Sequence, residues 1–432
     1  MSASKHYEWT KEYYPEMYED VKELIANGQW DNPGGQVVEP DLNLPSGEAL
    51  VRQSLEGQRF FEREFNQMST VGYVPDTFGF NGQFPQILKK AGMDNFVTTK
   101  LNWQQQNTER DSDIFKWKAI DGTEVLAYAP MKDYVNIYSD SQIVNALKRN
   151  EQTGKETGVK KALGMMGNGD HGGGPDSGQY ARVLQQDGSD AVQGANVEMA
   201  TITEYFNSVR ETEDLSKVRT VEGEMYFENH RGTYTSQAWN KMMNRRMEFA
   251  LAETEWLSAQ ALLAGGKYDQ DALVEDWQTV LRNQFHDIIP GSSIHEVYED
   301  CHKEYGQVEA SVEKLQREAL ETGREEVSLK REELTAMQAR LDANKETIDA
   351  LRPFVDQDPQ IAAQVAEYDA NVAVVAEGFT MLEAKAAELE AGAQALEETA
   401  AQTQAEFDAA KAELDETRRS LDSGAAALAA AQ

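Results

Sequence analysis

The chain has 432 residues, a formal net charge of -34 and a single cysteine, Cys301. That charge argues against nucleic acid and anionic membrane surfaces as partners, because both would be repelled, and one cysteine excludes an intramolecular disulfide framework. No run is apolar for long enough to span a bilayer and no apolar signal core opens the chain, so a soluble, cytoplasmic protein is expected.

Tyr14, Met17, Tyr18, Val21, Leu24 and Ile25 share one face at helical spacing, and Asn27-Gly28 supplies a stop, which predicts an opening helix. A short apolar stretch at Val37-Val38 leads into an acidic loop. For Asp41 and Glu48 in that region, loop and cap roles stand beside a substrate-facing one. Ser46 reads as the cap of a helix carrying Leu50, Leu55 and Phe60.

Residues 71–74 are short, apolar and β-prone, Pro75 stops them, and Asp76 follows directly. A helix over 84–91 ends at Gly92, and a strand over 95–99 brings Lys100 to the same relative position. Residues 115–128 read as two strands around an Asp121-Gly122 turn. A helix over 141–147, a strand over 162–166, a glycine-rich run beginning at Gly167 and a strand over 197–202 continue the rhythm.

Asp76, Lys100 and Asp170 thus each follow a predicted strand end, the face on which a parallel barrel gathers its chemistry. A lone aspartate there is also an ordinary turn or helix cap. The glycines after Asp170 lack the Gly-Lys-Ser/Thr ending and the dinucleotide spacing, so they read as freedom for close ligand approach rather than as a phosphate loop.

From about residue 224 strand signals give way to helices over 238–264 and 272–284, which lead to His286 and Asp287. His286 is a candidate ligand, with a merely packed histidine as the alternative. Further on, Ile361, Val365, Tyr368, Val372, Val375, Phe379 and Leu382 alternate by four and three, and the phase continues to Leu428. An earlier arm carries Val327, Leu334, Leu341 and Ile348 at sevens, and Pro353 to Pro359 separates the two. An antiparallel helical hairpin follows, with a longer second arm whose far end pairs with another chain or frays.

Gly34-Gly-Gln-Val-Val-Glu-Pro-Asp41, Leu44-Pro-Ser-Gly-Glu48, Pro75-Asp-Thr-Phe-Gly79, Thr98-Thr-Lys-Leu-Asn-Trp103, Gly167-Asn-Gly-Asp170, His230-Arg-Gly-Thr-Tyr-Thr-Ser236 and Gln284-Phe-His-Asp-Ile-Ile-Pro-Gly-Ser-Ser293 occur in this order. Together they resemble the α-mannosidases of glycoside hydrolase family 38, from about residue 7 to 305. The resemblance implies a zinc-dependent, retaining hydrolase of α-mannosides. It implies Asp76 as nucleophile and metal ligand, His286 as a second ligand, Asp170 as acid/base, and Phe78, Lys100 and Asp287 around the sugar.

The fold so implied is an incomplete parallel β/α barrel over 1–223, a helical middle domain over 224–306 and a coiled-coil hairpin over 307–432. The family's other two zinc ligands lie in a His-x-Asp motif upstream of the opening helix, and its C-terminal domains are β-rich. Neither feature occurs here, so a start-truncated, weakly metal-binding or inactive form is expected. The alternative is a non-catalytic carbohydrate binder or a coiled-coil interaction protein derived from a glycosidase.

Overall fold

A computed structural model describes residues 1–102, 112–130, 140–167, 174–186 and 197–431. The chain forms two compact units, one of residues 1–249 with 274–308 and the other of residues 250–273 with 309–432. None of the described helices is long and apolar enough to cross a membrane.

The first unit opens with α1 (Ser4–Tyr13) and α2 (Pro15–Ala26). Two helices replace the single one expected. Pro15 has no N–H to continue α1 and instead starts α2, and this break turns Tyr14 and Met17 to solvent at 63% and 56% exposure. Tyr18, Val21 and Ile25 remain on the buried face, as their spacing predicts, and Gly28 takes a left-handed φ of 79° just past the cap.

In α3 (Gly47–Phe65), Ser46 is the N-cap and its hydroxyl accepts the Ala49 N–H. Leu50 and Phe60 are buried, while Leu55 is exposed on the opposite side.

Five strands form one mixed sheet in the order β1-β2-β4-β3-β5, namely β1 (Val71–Tyr73), β2 (Asn95–Val97), β3 (Ile114–Lys118), β4 (Glu124–Tyr128) and β5 (Thr220–Glu222). Crossover through α4 (Phe84–Lys90) makes β1 and β2 parallel, whereas the short Asp121-Gly122 turn makes β3 and β4 antiparallel. Asp121 Oδ1 accepts the Thr123 N–H there, and Gly122 takes a φ of 85°.

Both sheet faces are buried. Phe96, Trp117 and Val125 point into a core with Phe80, Phe84 and Leu88, and Val97, Ile114 and Leu126 point into a second core with Phe206 and Val209. Strict alternation of these side chains places α4 against one face and α7 (Ile202–Thr212) against the other.

Helices α5 (Asp140–Thr157) and α6 (Ser177–Gln186) lie between β4 and α7 in the chain. The strands expected over 162–166 and 197–202 do not form. Carbonyls in and just before the first segment are taken by side chains instead, Lys161 by the Tyr205 hydroxyl at 3.3 Å and Leu163 by the Tyr128 hydroxyl at 2.8 Å. In the second, Thr201 and Glu204 make a reciprocal capping box, and this local helix signal outweighs the β-branched run.

Helices α8 (Ala238–Leu263), α9 (Gln270–Asn283) and α10 (His295–Leu351) contribute residues to both units. In the second unit, α10 and α11 (Pro359–Ala431) run antiparallel. Arg324 meets Glu390 at 3.1 Å, the Tyr368 hydroxyl donates to the Leu341 carbonyl at 3.1 Å, and Arg352 grips Asp369 with two bonds of 2.9 and 2.6 Å.

Val365, Val375 and Leu382 are buried on the seam, and Val372 is exposed. Gly323 and Gly378 sit opposite leucines: a Cβ at either would stand 2.9 Å from Leu389 or Leu334 respectively. These two close approaches fix how far the helices can slide.

Candidate active site

Asp76 lies three residues beyond β1 and Lys100 three residues beyond β2, and the parallel pairing of the two strands brings them to one edge. Thr99 ties the two segments together, its N–H and hydroxyl both donating to the Pro75 carbonyl at 3.0 and 2.6 Å. The Lys100 ammonium stands 2.7 Å from Asp76 Oδ1; its side chain is 7% exposed and that of Asp76 27%. One carboxylate oxygen is thus paired at depth while the group as a whole remains open to a ligand.

His286 arrives from a different part of the chain. Beyond α9 the chain turns and runs antiparallel to residues 39–41: the Asp41 N–H donates to the Gln284 carbonyl at 2.9 Å, and the His286 N–H donates to the Glu39 carbonyl at 3.2 Å. The same Glu39 carbonyl lies 2.8 Å from His286 Nδ1. Since a carbonyl can only accept, Nδ1 carries a proton, and in that neutral tautomer the lone pair of the ring sits at Nε2. Nε2 stands 3.9 Å from both Asp76 Oδ2 and Asp287 Oδ2, too far for a hydrogen bond to either. A proton or another cation at Nε2 relieves the repulsion among these three acceptors.

Aromatic rings wall the site. Phe78 is 4% exposed, its ring 4.6 Å from that of His230 and edge-on to His286 at 6.2 Å. It is therefore a packed wall behind the histidines rather than an open platform. His230 also meets Phe227 at 4.8 Å. Burial first, and then the Lys100 ammonium, lower its pKa, against the pull of Asp76 and Asp287. Asp287 is the exposed member of the group, its Oδ1 accepting the Ser292 hydroxyl at 2.8 Å.

Two carboxyls lie behind the site. Glu39 is half-buried and accepts the Ser2 hydroxyl; desolvation raises its pKa against the pull of His286 and Ser2, with Asp76 pushing the same way. Asp41 is 1% exposed; its Oδ1 accepts the Asn43 and Leu44 N–H groups at 2.8 and 2.7 Å. Its Oδ2 is buried with no hydrogen-bond partner, and burial raises the pKa against those two N–H groups. Asp41 thus shapes the loop, and Glu48 pairs with Arg52 at 2.8 Å on α3.

The structure brings together Asp76, Phe78, Lys100, His286 and Asp287. Asp170 and the adjoining His171 lie outside the described residues. The Lys100 ammonium is tied to Asp76, since a buried ammonium needs an anionic partner. Sequence reasoning assigned no role to His230, Glu39 or Tyr73, although the first two fall inside quoted motifs. Burial and the charges of Glu39 and Asp76 raise the Tyr73 pKa.

Zinc, which the resemblance implies, takes three protein ligands and an open position in a catalytic site. Asp76 Oδ2 and His286 Nε2 face each other at 3.9 Å as two suitable donors. Among the described residues no three His, Cys, Asp or Glu side chains converge as a metal-holding group. The described donor set therefore does not fit a complete zinc centre.

Residues 1–255 match the model of the glycosyl hydrolases family 38 N-terminal domain, and residues 228–322 match that of the alpha mannosidase middle domain. The chain is 41% identical to Alpha-mannosidase G of Dictyostelium discoideum over 308 residues, 71% of this chain and 28% of that protein. It is 35% identical to human Alpha-mannosidase 2C1, covering 70% of this chain and 29% of that protein. The chain therefore spans less than a third of the length of these relatives. A crystal structure of an alpha-mannosidase from Enterococcus faecalis V583 is similar in fold, with a TM-score of 0.62 and 21% identity over 73% of this chain and 36% of that one.

Proposed function

The chain belongs to glycoside hydrolase family 38, and we propose that it carries the nucleophile side of a retaining site for terminal α-mannosides. The observation that supports this reading best is Asp76: a carboxylate at the end of β1, paired through Oδ1 with Lys100, its Oδ2 turned toward His286 and a quarter of its side chain still exposed. A retaining glycosidase needs one ionised carboxylate to attack the anomeric carbon and one carboxylic acid to protonate the leaving oxygen, roughly 5–5.5 Å apart.

In this reading Lys100 orients Asp76 through their 2.7 Å contact, and Asp76 forms the glycosyl bond as the aglycone oxygen takes a proton from Asp170. Water then attacks the same carbon, giving its proton back to Asp170 and releasing Asp76. Asp287, exposed beside His286, is the group to accept sugar hydroxyls, and Phe78 stiffens the wall behind them. Asp76 and His286 are the two donors this chain would offer to zinc; the steps above do not run through the metal. The proposed architecture is a β/α barrel portion ahead of the helical middle domain.

The test is zinc content together with hydrolysis of an aryl α-mannoside, with and without added zinc. Turnover that disappears in Asp76→Asn is the expected result. A folded chain that neither turns over nor binds the mannoside would sink the assignment.

A second reading is favoured by the paired helices of 57 and 73 residues, which have no evident part in glycoside chemistry. In it the hairpin is a coiled coil that recruits a partner or a second copy, and the glycosidase portion binds carbohydrate without cleaving it. Sedimentation showing a monomer whose 307–432 segment is rapidly digested would remove that reading.

A further inference from the structure

A cleft of about 390 Å³ opens on the first unit, lined in part by Asn81, Gly82 and Gln83 and by none of Asp76, Phe78, Lys100, His286 or Asp287. This volume falls within the range of small-molecule sites, about 300–1,000 Å³. Its walls come from the loop before α3, the segment before α4, Ile120 of the β3–β4 turn, and Gly223-Glu224 after β5. Leu42, Leu50 and Ile87 make an apolar floor, all three at or below 9% exposure. Asn43, Asn81, Gln83 and Glu224 supply the polar groups, and among the described residues no lysine or arginine lines the cleft.

Two of the polar groups, Asn81 and Asn43, are held in place. Asn81 donates its amide to the Leu42 carbonyl and accepts the Gln83 N–H at 3.0 Å. Asn43 donates to the Tyr234 hydroxyl at 2.6 Å, which leaves its amide oxygen as an acceptor. That contact depends on Gly79, whose φ is 136° and where a Cβ would stand 2.5 Å from the Asn43 amide nitrogen and 2.7 Å from the Tyr234 hydroxyl. Gly79 therefore lets one short segment serve two sites, with Phe78 facing the histidines and Asn81 facing the cleft.

We propose that this cleft is a second carbohydrate subsite, separate from the Asp76 pocket, which takes one neutral pyranose. An apolar floor suits the C–H face of a sugar ring, and amide and carboxylate groups around it suit ring hydroxyls. The lack of a lining cation, together with the Glu224 carboxylate, selects against phosphorylated or acidic sugars. The choice of a mannoside as probe rests on the function proposed above; the cleft itself does not.

The experiment titrates the full chain with methyl α-mannoside by saturation-transfer NMR and calorimetry, with mannose 6-phosphate as the charged control. Asp76→Asn serves as the background, so that binding is read apart from turnover. Gly47→Trp fills the cleft, because nothing lies within 4 Å of a Cβ added there. A double variant, Gln83→Ala with Glu224→Ala, removes two polar groups without touching the core.

Binding should persist in Asp76→Asn and weaken about tenfold or more in each cleft variant, the effect of losing one or two useful hydrogen bonds or the space itself. Unchanged affinity in both cleft variants, no binding by the folded Asp76→Asn chain, or equal affinity for mannose 6-phosphate would each overturn the proposal. Failure of the catalytic reading looks different: the wild-type chain would not hydrolyse an aryl α-mannoside, while the cleft variants would still report on binding.

Discussion

Replacing Asp41 by asparagine should stabilise the protein at neutral pH, by an amount that grows as pH rises. The carboxyl is 1% exposed, and its two oxygens are unequal: Oδ1 accepts two backbone N–H groups, while Oδ2 is buried with no hydrogen-bond partner. Burial raises its folded pKa above an unfolded value near 3.9. Above about pH 4 the unfolded chain gives up this proton while the folded chain retains it, so stability falls as pH rises toward the folded pKa, and the loss is complete above it.

Asparagine keeps the Oδ1 acceptor and cannot ionise. Its amide N–H₂ replaces a protonated oxygen in the same partnerless place, so the two proteins should be nearly equal near pH 4. By pH 7 the variant should be ahead by about 1–3 kcal/mol, the cost of one unsatisfied buried polar atom that carries charge. Urea unfolding at pH 4, 5.5 and 7 measures the difference directly. A difference that stays flat with pH, or a variant weaker at pH 7, would refute the argument that Asp41 is held against its ionisation.

Other expected outcomes follow from single contacts. Lys100→Met leaves Asp76 without its 2.7 Å partner and should cost about 2 kcal/mol, the lower part of the range for a charged hydrogen bond because Asp76 is partly solvated; a cycle with Asp76→Asn should return a coupling of about 1–2 kcal/mol. Glu248→Ala removes the acceptor of the Ser46 N–H at 2.8 Å and of the Gln284 amide at 3.1 Å, and should cost about 2–3 kcal/mol, with Glu248→Gln milder. Circular dichroism melts of both variants check this. Gly378→Val drives a branched side chain into Leu334 and should lower helix stability by about 1–3 kcal/mol, a penalty that shrinks in a Leu334→Ala background if the close approach is its cause.

Local signals located much of this fold. Ser46 capped α3, the Asp121-Gly122 turn joined β3 to β4, and the apolar stretches at 71–74 and 95–99 became β1 and β2. Each depends on a few neighbouring residues, and so can be read in order along the chain. Two of the differences have equally local causes: Pro15 split a helix whose hydrophobic spacing ran through it, and Thr201 with Glu204 converted a β-prone run into the start of a helix. Periodicity was outweighed by a backbone constraint in one case and by a capping box in the other.

The family motifs, the residue types of the site and the heptad phase of the tail were legible in the chain alone, because all of them are matters of spacing. Tertiary structure decided what spacing cannot encode. It set Lys100 on Asp76 through the parallel register of β1 and β2, and turned His286 Nε2 toward two carboxylates by tying Nδ1 to the Glu39 carbonyl, 247 residues away in sequence. It also buried Asp41, and put Gly323 and Gly378 opposite leucines of the facing helix. Ionisation, orientation and close approach depend on what surrounds a group in space, and those surroundings exist only once distant segments have packed.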